Sequence, residues 1–106
     1  MPWTVTFHES AKAEADAQPE EIQARLRRIG ELVQAHGFEK LPRKLRKHLR
    51  EDLWEFRLMG KNRIARALYV TRTGQRMVIV RVFTKKTQKT PPREIRLALQ
   101  RAEEIE

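Results

Sequence analysis

Three short amphipathic segments in succession limit what this chain can fold into. Leu53-Trp54-Glu55-Phe56-Arg57-Leu58 alternates strictly, with Trp54, Phe56 and Leu58 on one face and Glu55 and Arg57 on the other. That period of two is the repeat of a β-strand. Gly60-Lys61-Asn62 reads as a turn and Arg63 to Val70 as a second strand. Arg72-Thr73-Gly74-Gln75 reads as the next turn and Arg76 to Phe83 as a third strand. Turns this short join antiparallel neighbours. In the third strand, uninterrupted alternation predicts Val78, Val80 and Val82 on one face, and Ile79, Arg81 and Phe83 on the other.

Helices flank this meander. Trp3-Thr4-Val5-Thr6-Phe7-His8 alternates as a further strand, predicted to pair into the same sheet. Ser10 to Ala15 is rich in helix formers and predicts a short helix ending before Pro19. Pro19 opens a second helix, with Glu20 and Glu21 in its electropositive first turn. Ile22, Leu26, Ile29 and Val33 recur at helical spacing, Leu32 widens the stripe, and Gly37 is placed for the C-cap. The two helices form a hairpin whose apolar face the sheet can cover. KLPRKLRKHLR, residues 40–50, reads as a basic loop or short irregular helix anchored by Leu41, Leu45 and Leu49. Thr90-Pro91-Pro92 starts a closing helix with Ile95, Ala98, Leu99 and Ala102 on its apolar side. The expected order is β-α-α-β-β-β-α, an α+β fold over residues 1–106 as one domain.

Composition narrows the class. The 106 residues contain no cysteine, which excludes disulfides, thiolate zinc sites and a cysteine nucleophile and suits a reducing cytoplasm. No apolar run has the length of a membrane span, and MPWTVTFHES lacks the build of a signal peptide. The net charge of +9 is segregated: residues 1–39 carry a balance of −3, residues 40–101 one of +15, and the last five −3. Such a concentration attracts polyanions through counterion release, and solubility alone does not require it. Nucleic acid is the expected partner; a membrane surface lacks a matching apolar face.

No metal or cofactor is expected, because His8, His36 and His48 lie far apart and no H-E-x-x-H, EF-hand or phosphate-binding glycine loop occurs. Ser10 is the one serine, at a helix entry, so a serine triad is not built here. What remains is a face of cations. Arg57, Arg63, Arg81 and Lys85 share one side of the strands with Glu55 and Phe83, while Lys86 and Lys89 extend the cluster towards the last helix. Cations beside an aromatic ring can clamp a phosphate and stack a base. They also suit phosphoryl transfer, where charge accumulates on nonbridging oxygens. In RNA cleavage the 2′-hydroxyl is the nucleophile, so neither a metal nor a protein nucleophile is required. A plain solvated sheet face is the competing account of the same residues.

The run Leu53-Trp54-Glu55-Phe56-Arg57, then Asn62-Arg63-Ile64, then Phe83-Thr84-Lys85-Lys86-Thr87-Gln88-Lys89-Thr90-Pro91, with Glu94 and Ala98 beyond, resembles the phage-derived Gp49-like, HigB-type branch of the RelE/ParE toxin superfamily. The likeness extends over nearly the whole chain and is strongest from Leu45 to Ala98. It implies a compact RelE-like toxin domain of a type II toxin–antitoxin pair. Its implied activity is metal-independent endoribonucleolytic cleavage of mRNA on the ribosome. By motif, Arg57, Arg63, Lys85 and Lys86 match the positions that hold the scissile phosphate. Glu55 is a candidate base or salt-bridge partner of Arg57. Arg81, Phe83 and Lys89, with the basic lead-in of Arg43, Lys44, Arg46 and Lys47, are the RNA-binding candidates. The implied protein partner is a HigA-like helix-turn-helix antitoxin. Some relatives carry a Tyr or His near the end of the site, where this chain reads KKTQKTPPREI.

One superfamily fold serves several functions. A ParE-like gyrase inhibitor and a non-catalytic nucleic-acid-binding module are the alternatives. The LWE-x-R and KKTQKTP segments favour the ribonuclease branch.

Overall fold

A computed structural model describes residues 2–85 and 88–105, and for Lys85 its backbone alone. The elements are β1 (Thr4–Phe7), α1 (Glu9–Asp16), α2 (Glu20–His36), β2 (Arg46–Arg50), β3 (Leu53–Met59), β4 (Ile64–Arg72), β5 (Arg76–Lys85) and α3 (Pro92–Glu103). One sheet has the order β1-β5-β4-β3-β2, antiparallel except where β1 runs parallel to β5. The α+β class, the helical hairpin, the meander and the closing helix are all as the sequence predicts.

The basic stretch departs from expectation. Only Arg43–Leu45 makes a helical turn, of 3₁₀ type, and Arg46–Arg50 is a strand paired with β3. The four-residue spacing of Leu41, Leu45 and Leu49 resembles a helix, but the open edge of β3 offers hydrogen bonds that local propensity does not register. Lysine and arginine are also common on edge strands, where they discourage pairing with other chains.

The sheet buries apolar residues on both sides. Ile22, Leu26, Ile29 and Val33 of α2 pack with Phe56, Leu58, Tyr69, Met77 and Ile79. On the opposite side Ala98 and Ala102 of α3 pack with Leu53, Leu68, Val70, Val78 and Val80. Phe56 stacks on Tyr69 at 4.3 Å and Tyr69 on Phe38 at 5.7 Å, while Trp3 meets Phe38 edge-on at 5.0 Å.

A bulge in β5 corrects the predicted parity. Leu68 faces Arg81 but Tyr69 faces Ile79, so Val80 is an extra residue. Val78 and Val80 therefore share the α3 side with Phe83, whereas Ile79 and Val82 face the hairpin. Without that shift Arg81 and Phe83 would share a face with Ile79.

Beyond Ile79, β1 no longer covers the edge of β5. Side chains replace it. The Val82 N–H donates to Glu14 at 3.1 Å, and Arg101 donates to the Val80 carbonyl and to Glu14, each at 2.9 Å. Burial alone would raise the Glu14 pKa. The Arg101 and Val82 hydrogen bonds and the charges of Arg81 and Arg101 outweigh it and hold this carboxyl below the ordinary value of 4.5. A depressed carboxylate contributes stability that is present above that value and lost as pH falls through the folded one. Urea midpoints measured from pH 6 down to about pH 3 should fall less steeply for Glu14→Gln than for the parent.

Gly37 closes α2 at φ +68°, ψ −151°, where only glycine is comfortable, and a Cβ there would lie 3.0 Å from the Trp3 indole nitrogen. Gly37→Ala should cost about 1–3 kcal/mol, read from the urea midpoint.

Candidate functional site

The α3 side of the sheet is only partly covered. The helix lies over its apolar half, and β2, β3 and β4 also carry charged residues on this side. Register sets these in rows: Lys47 faces Glu55, and Arg57 faces Arg66, which in turn faces Phe83. Glu55 and Arg66 are 1% and 4% exposed. Arg66 Nη1 donates to Glu55 Oε2 at 3.4 Å, and the Thr90 hydroxyl donates to the other Glu55 oxygen. Glu55 is therefore not on an open face, and its ion-pair partner is Arg66 rather than Arg57. Arg66 carries the one buried side-chain nitrogen or oxygen, Nε, that lacks a hydrogen-bond partner among the described residues.

Arg57 is exposed and makes no ion pair with a described residue. Directly opposite it, Arg66 has its pKa lowered, first by burial and further by the Arg57 charge, against the opposing pull of Glu55. Like charges facing each other across a strand pair destabilise a sheet. An anion bound at Arg57 would relieve that repulsion. Arg66 is the residue the sequence reading missed: within ARALY it passes for a strand residue with a solvated side chain. The signal was there, since Arg66 has the same parity as Leu68 and Val70 and so belongs to the Glu55 face.

The other sequence candidates separate into two groups. Arg63 is exposed in the β3–β4 turn, beside an open hollow of about 690 Å³ that Ile64 and Met59 also line. Lys47 is exposed opposite Glu55, Lys89 is exposed one residue before Thr90, and Arg43 and Lys44 are exposed in the 3₁₀ turn. The Lys85 backbone pairs with Ile64 at the same end; its side chain and Lys86 lie outside the described residues.

Three further candidates are tied into the packed structure. Arg81 is bound at 2.6 Å to Glu14 and 2.7 Å to Glu94, which raise its pKa, Glu94 most strongly. Phe83 is 8% exposed in the α3-side core with the Arg81 guanidinium 5.2 Å over its ring, so it is no open platform for a base. Arg46 lies over Phe38 and Trp54 at 4.7 and 4.9 Å and donates to the Tyr69 hydroxyl at 3.4 Å. For Arg81 and Arg46 folding supplied partners that are not sequence neighbours.

Among the described residues no group of three His, Cys, Asp or Glu is placed to hold a metal ion, and no helix is long and apolar enough to cross a membrane.

Comparison with known proteins agrees with this architecture. The chain superposes on a double arginine-to-alanine mutant of the E. coli toxin RelE in the free state with a TM-score of 0.65 at 12% identity, covering 100% of both chains. It superposes on a chain of the archaeal RelE–RelB complex from Pyrococcus horikoshii with a TM-score of 0.55 at 15% identity, covering 79% of this chain and 96% of that one. No curated protein matches the sequence. The model of the phage-derived Gp49-like proteins matches residues 13–103, which contain α2, α3, β2–β5 and the whole Glu55–Arg57–Arg66 constellation. The chain belongs to the phage-derived Gp49-like family and has the fold of the RelE toxins.

Proposed function

We propose that this protein is the toxin of a type II toxin–antitoxin pair, an endoribonuclease that cleaves mRNA on the translating ribosome without a metal. The observation that carries this reading is the exposed Arg57 directly opposite the buried Arg66 with its unsatisfied Nε. The fold likeness and the family membership support it.

In this reading the scissile phosphate sits against Arg57 and is reached from below by Arg66. Lys47, Arg63 and Lys89 add positive charge on the exposed surface, and the family resemblance gives Lys85 and Lys86 the same role. The 2′-hydroxyl gives its proton to a solvent or ribosomal group as its oxygen attacks phosphorus, the 5′-oxygen departs and takes a proton from the same source, a 2′,3′-cyclic phosphate remains, and the guanidiniums neutralise the nonbridging oxygens as their charge grows. Glu55, held by Arg66 and by Thr90, is a positioning residue that fixes the Arg66 guanidinium. Ribosome-bound mRNA, threaded in an extended path, suits an open face better than folded RNA does. The antitoxin is a HigA-like helix-turn-helix protein, and the site of action is the cytoplasm.

Expression of the chain without an antitoxin, followed by mapping of mRNA 5′ ends within minutes, tests the reading. Cuts inside translated codons, absent with Arg57→Ala, are the expected result. Growth arrest with intact mRNA and altered DNA supercoiling would instead assign a ParE-like gyrase inhibitor. Salt-sensitive RNA binding without cleavage would assign a binding module.

A further inference from the structure

One rung beyond the arginine pair, the same face of the sheet turns apolar. Met59 follows Arg57 by two residues, Ile64 precedes Arg66 by two, and Met59 pairs directly with Ile64. A period of two puts both side chains on the face that carries Arg57 and Arg66, about 7 Å further along the strands. Met59, at 48% exposure, is the one large hydrophobic residue left exposed among the described residues, and Ile64 is half-buried. Together they floor the open hollow of about 690 Å³ at the β3–β4 turn, with Lys61, Asn62 and Arg63 around it. The turn is held in place. Glu21 of α2 accepts from the Lys61 N–H at 2.9 Å, and the Gly60 N–H donates to the Arg63 carbonyl at 2.8 Å. Turn and helix are so close that a Cβ on Gly60 would lie 2.8 Å from the Ile22 side chain. Asn62 is exposed and makes no side-chain hydrogen bond with a described residue, and Arg63 makes no ion pair with one.

A phosphate needs no apolar floor. A hollow with an aliphatic floor, an open carboxamide and cations around it suits a group with an apolar face and a polar edge that is itself joined to phosphate, which describes a nucleobase. A methionine thioether makes favourable contacts with aromatic rings. Bases taken out of a stack are held between apolar side chains and read along their edges. A carboxamide carries both the donor and the acceptor that such an edge requires. We propose that Met59 and Ile64 floor a nucleobase subsite, in which the base next to the phosphate at Arg57 lies flat and turns its edge to the Asn62 amide. An apolar peptide side chain would use the floor but leave Asn62 and Arg63 unmatched. A second copy of the chain would set one net charge of +9 against another. Because Glu21 pins the turn, the subsite is formed before RNA arrives and loses little freedom on binding. The inference rests on the ribonuclease reading: a base seated here sets the register that brings its adjoining phosphate to Arg57.

The test uses the purified chain and ribosomes programmed with an mRNA whose A-site codon lacks 2′-hydroxyls, so that it binds uncut. Each nucleotide of that codon is made abasic in turn. Binding should weaken about tenfold or more at one of these positions, as on loss of a stacked base. Met59→Ser should cause a similar loss on the intact codon and no further loss at that abasic position. Met59→Leu, which keeps the floor apolar, should bind nearly as the parent does. Asn62→Ala should flatten the preference among bases at that position alone. These side chains are exposed, so the unfolding midpoints should stay with that of the parent. Losses from Met59→Ser and the abasic site that multiply, binding indifferent to Met59→Ser, or a base preference that Asn62→Ala leaves unaltered would overturn the proposal. So would a dimer of the chain that Met59→Ser dissociates. The same ribosomes carrying an mRNA with its 2′-hydroxyls separate this inference from the reading beneath it. Coupled losses in binding without any cleavage would retain the subsite and discard the nuclease. Cleavage by a chain whose losses multiply would retain the nuclease and discard the subsite. No binding to programmed ribosomes would discard both.

Discussion

Arg57→Ala is expected to slow cleavage of ribosome-bound mRNA by about 10²–10³-fold, the usual effect of removing one preorganised donor to transition-state charge. Its unfolding midpoint should stay with that of the parent, because the side chain is exposed and makes no ion pair with a described residue. Relief of the repulsion with Arg66 should even stabilise the variant slightly. Arg57→Lys should recover part of the rate, since a point charge still attracts phosphate but cannot bind it in the bidentate manner of a guanidinium. Single-turnover rates on programmed ribosomes, read beside urea denaturation, separate these effects. A folded Arg57→Ala protein that cleaves at the parental rate would remove this arginine from the site.

Glu55 should behave differently. Glu55→Ala leaves the Arg66 guanidinium buried beside the Arg57 charge with its carboxylate partner gone. Breaking a buried pair from one side costs about 3–5 kcal/mol, a large fraction of the stability of a domain this size. Replacing both members, as Glu55→Leu with Arg66→Met, removes both desolvation penalties and should restore most of that stability. It should not restore cleavage if Arg66 reaches the phosphate. Chemical denaturation of Glu55→Leu, Arg66→Met and the double variant yields the coupling directly. A Glu55→Ala protein as stable as the parent would mean that the Glu55–Arg66 contact contributes little.

How far each element could be read from sequence follows from where its determining interactions lie. The hairpin was legible because α2 repeats Ile22, Leu26, Ile29 and Val33 on one stripe, and a helix hydrogen-bonds within itself. Strand β3 was legible from its alternation, and β4 from the turns on either side of it. β2 was not: its hydrogen-bond partner is β3, and its own residues space like a helix. The β5 bulge was not legible either, since the extra Val80 is one valine among several and only its pairing with β4 sets it apart.

The same division runs through the site. Sequence alone determined the fold class, the segregation of positive charge and the placing of Glu55 and Arg57 on the face away from Trp54, Phe56 and Leu58, because these depend on composition and on a period of two. Tertiary structure decided which cations remain available. It bound Arg81 between Glu14 and Glu94, set Arg46 over two aromatic rings, and exchanged Arg57 for Arg66 as the partner of Glu55. The physical reason is that a side chain's charge is written in the sequence, whereas its partner and its exposure to water are set by residues that folding brings beside it.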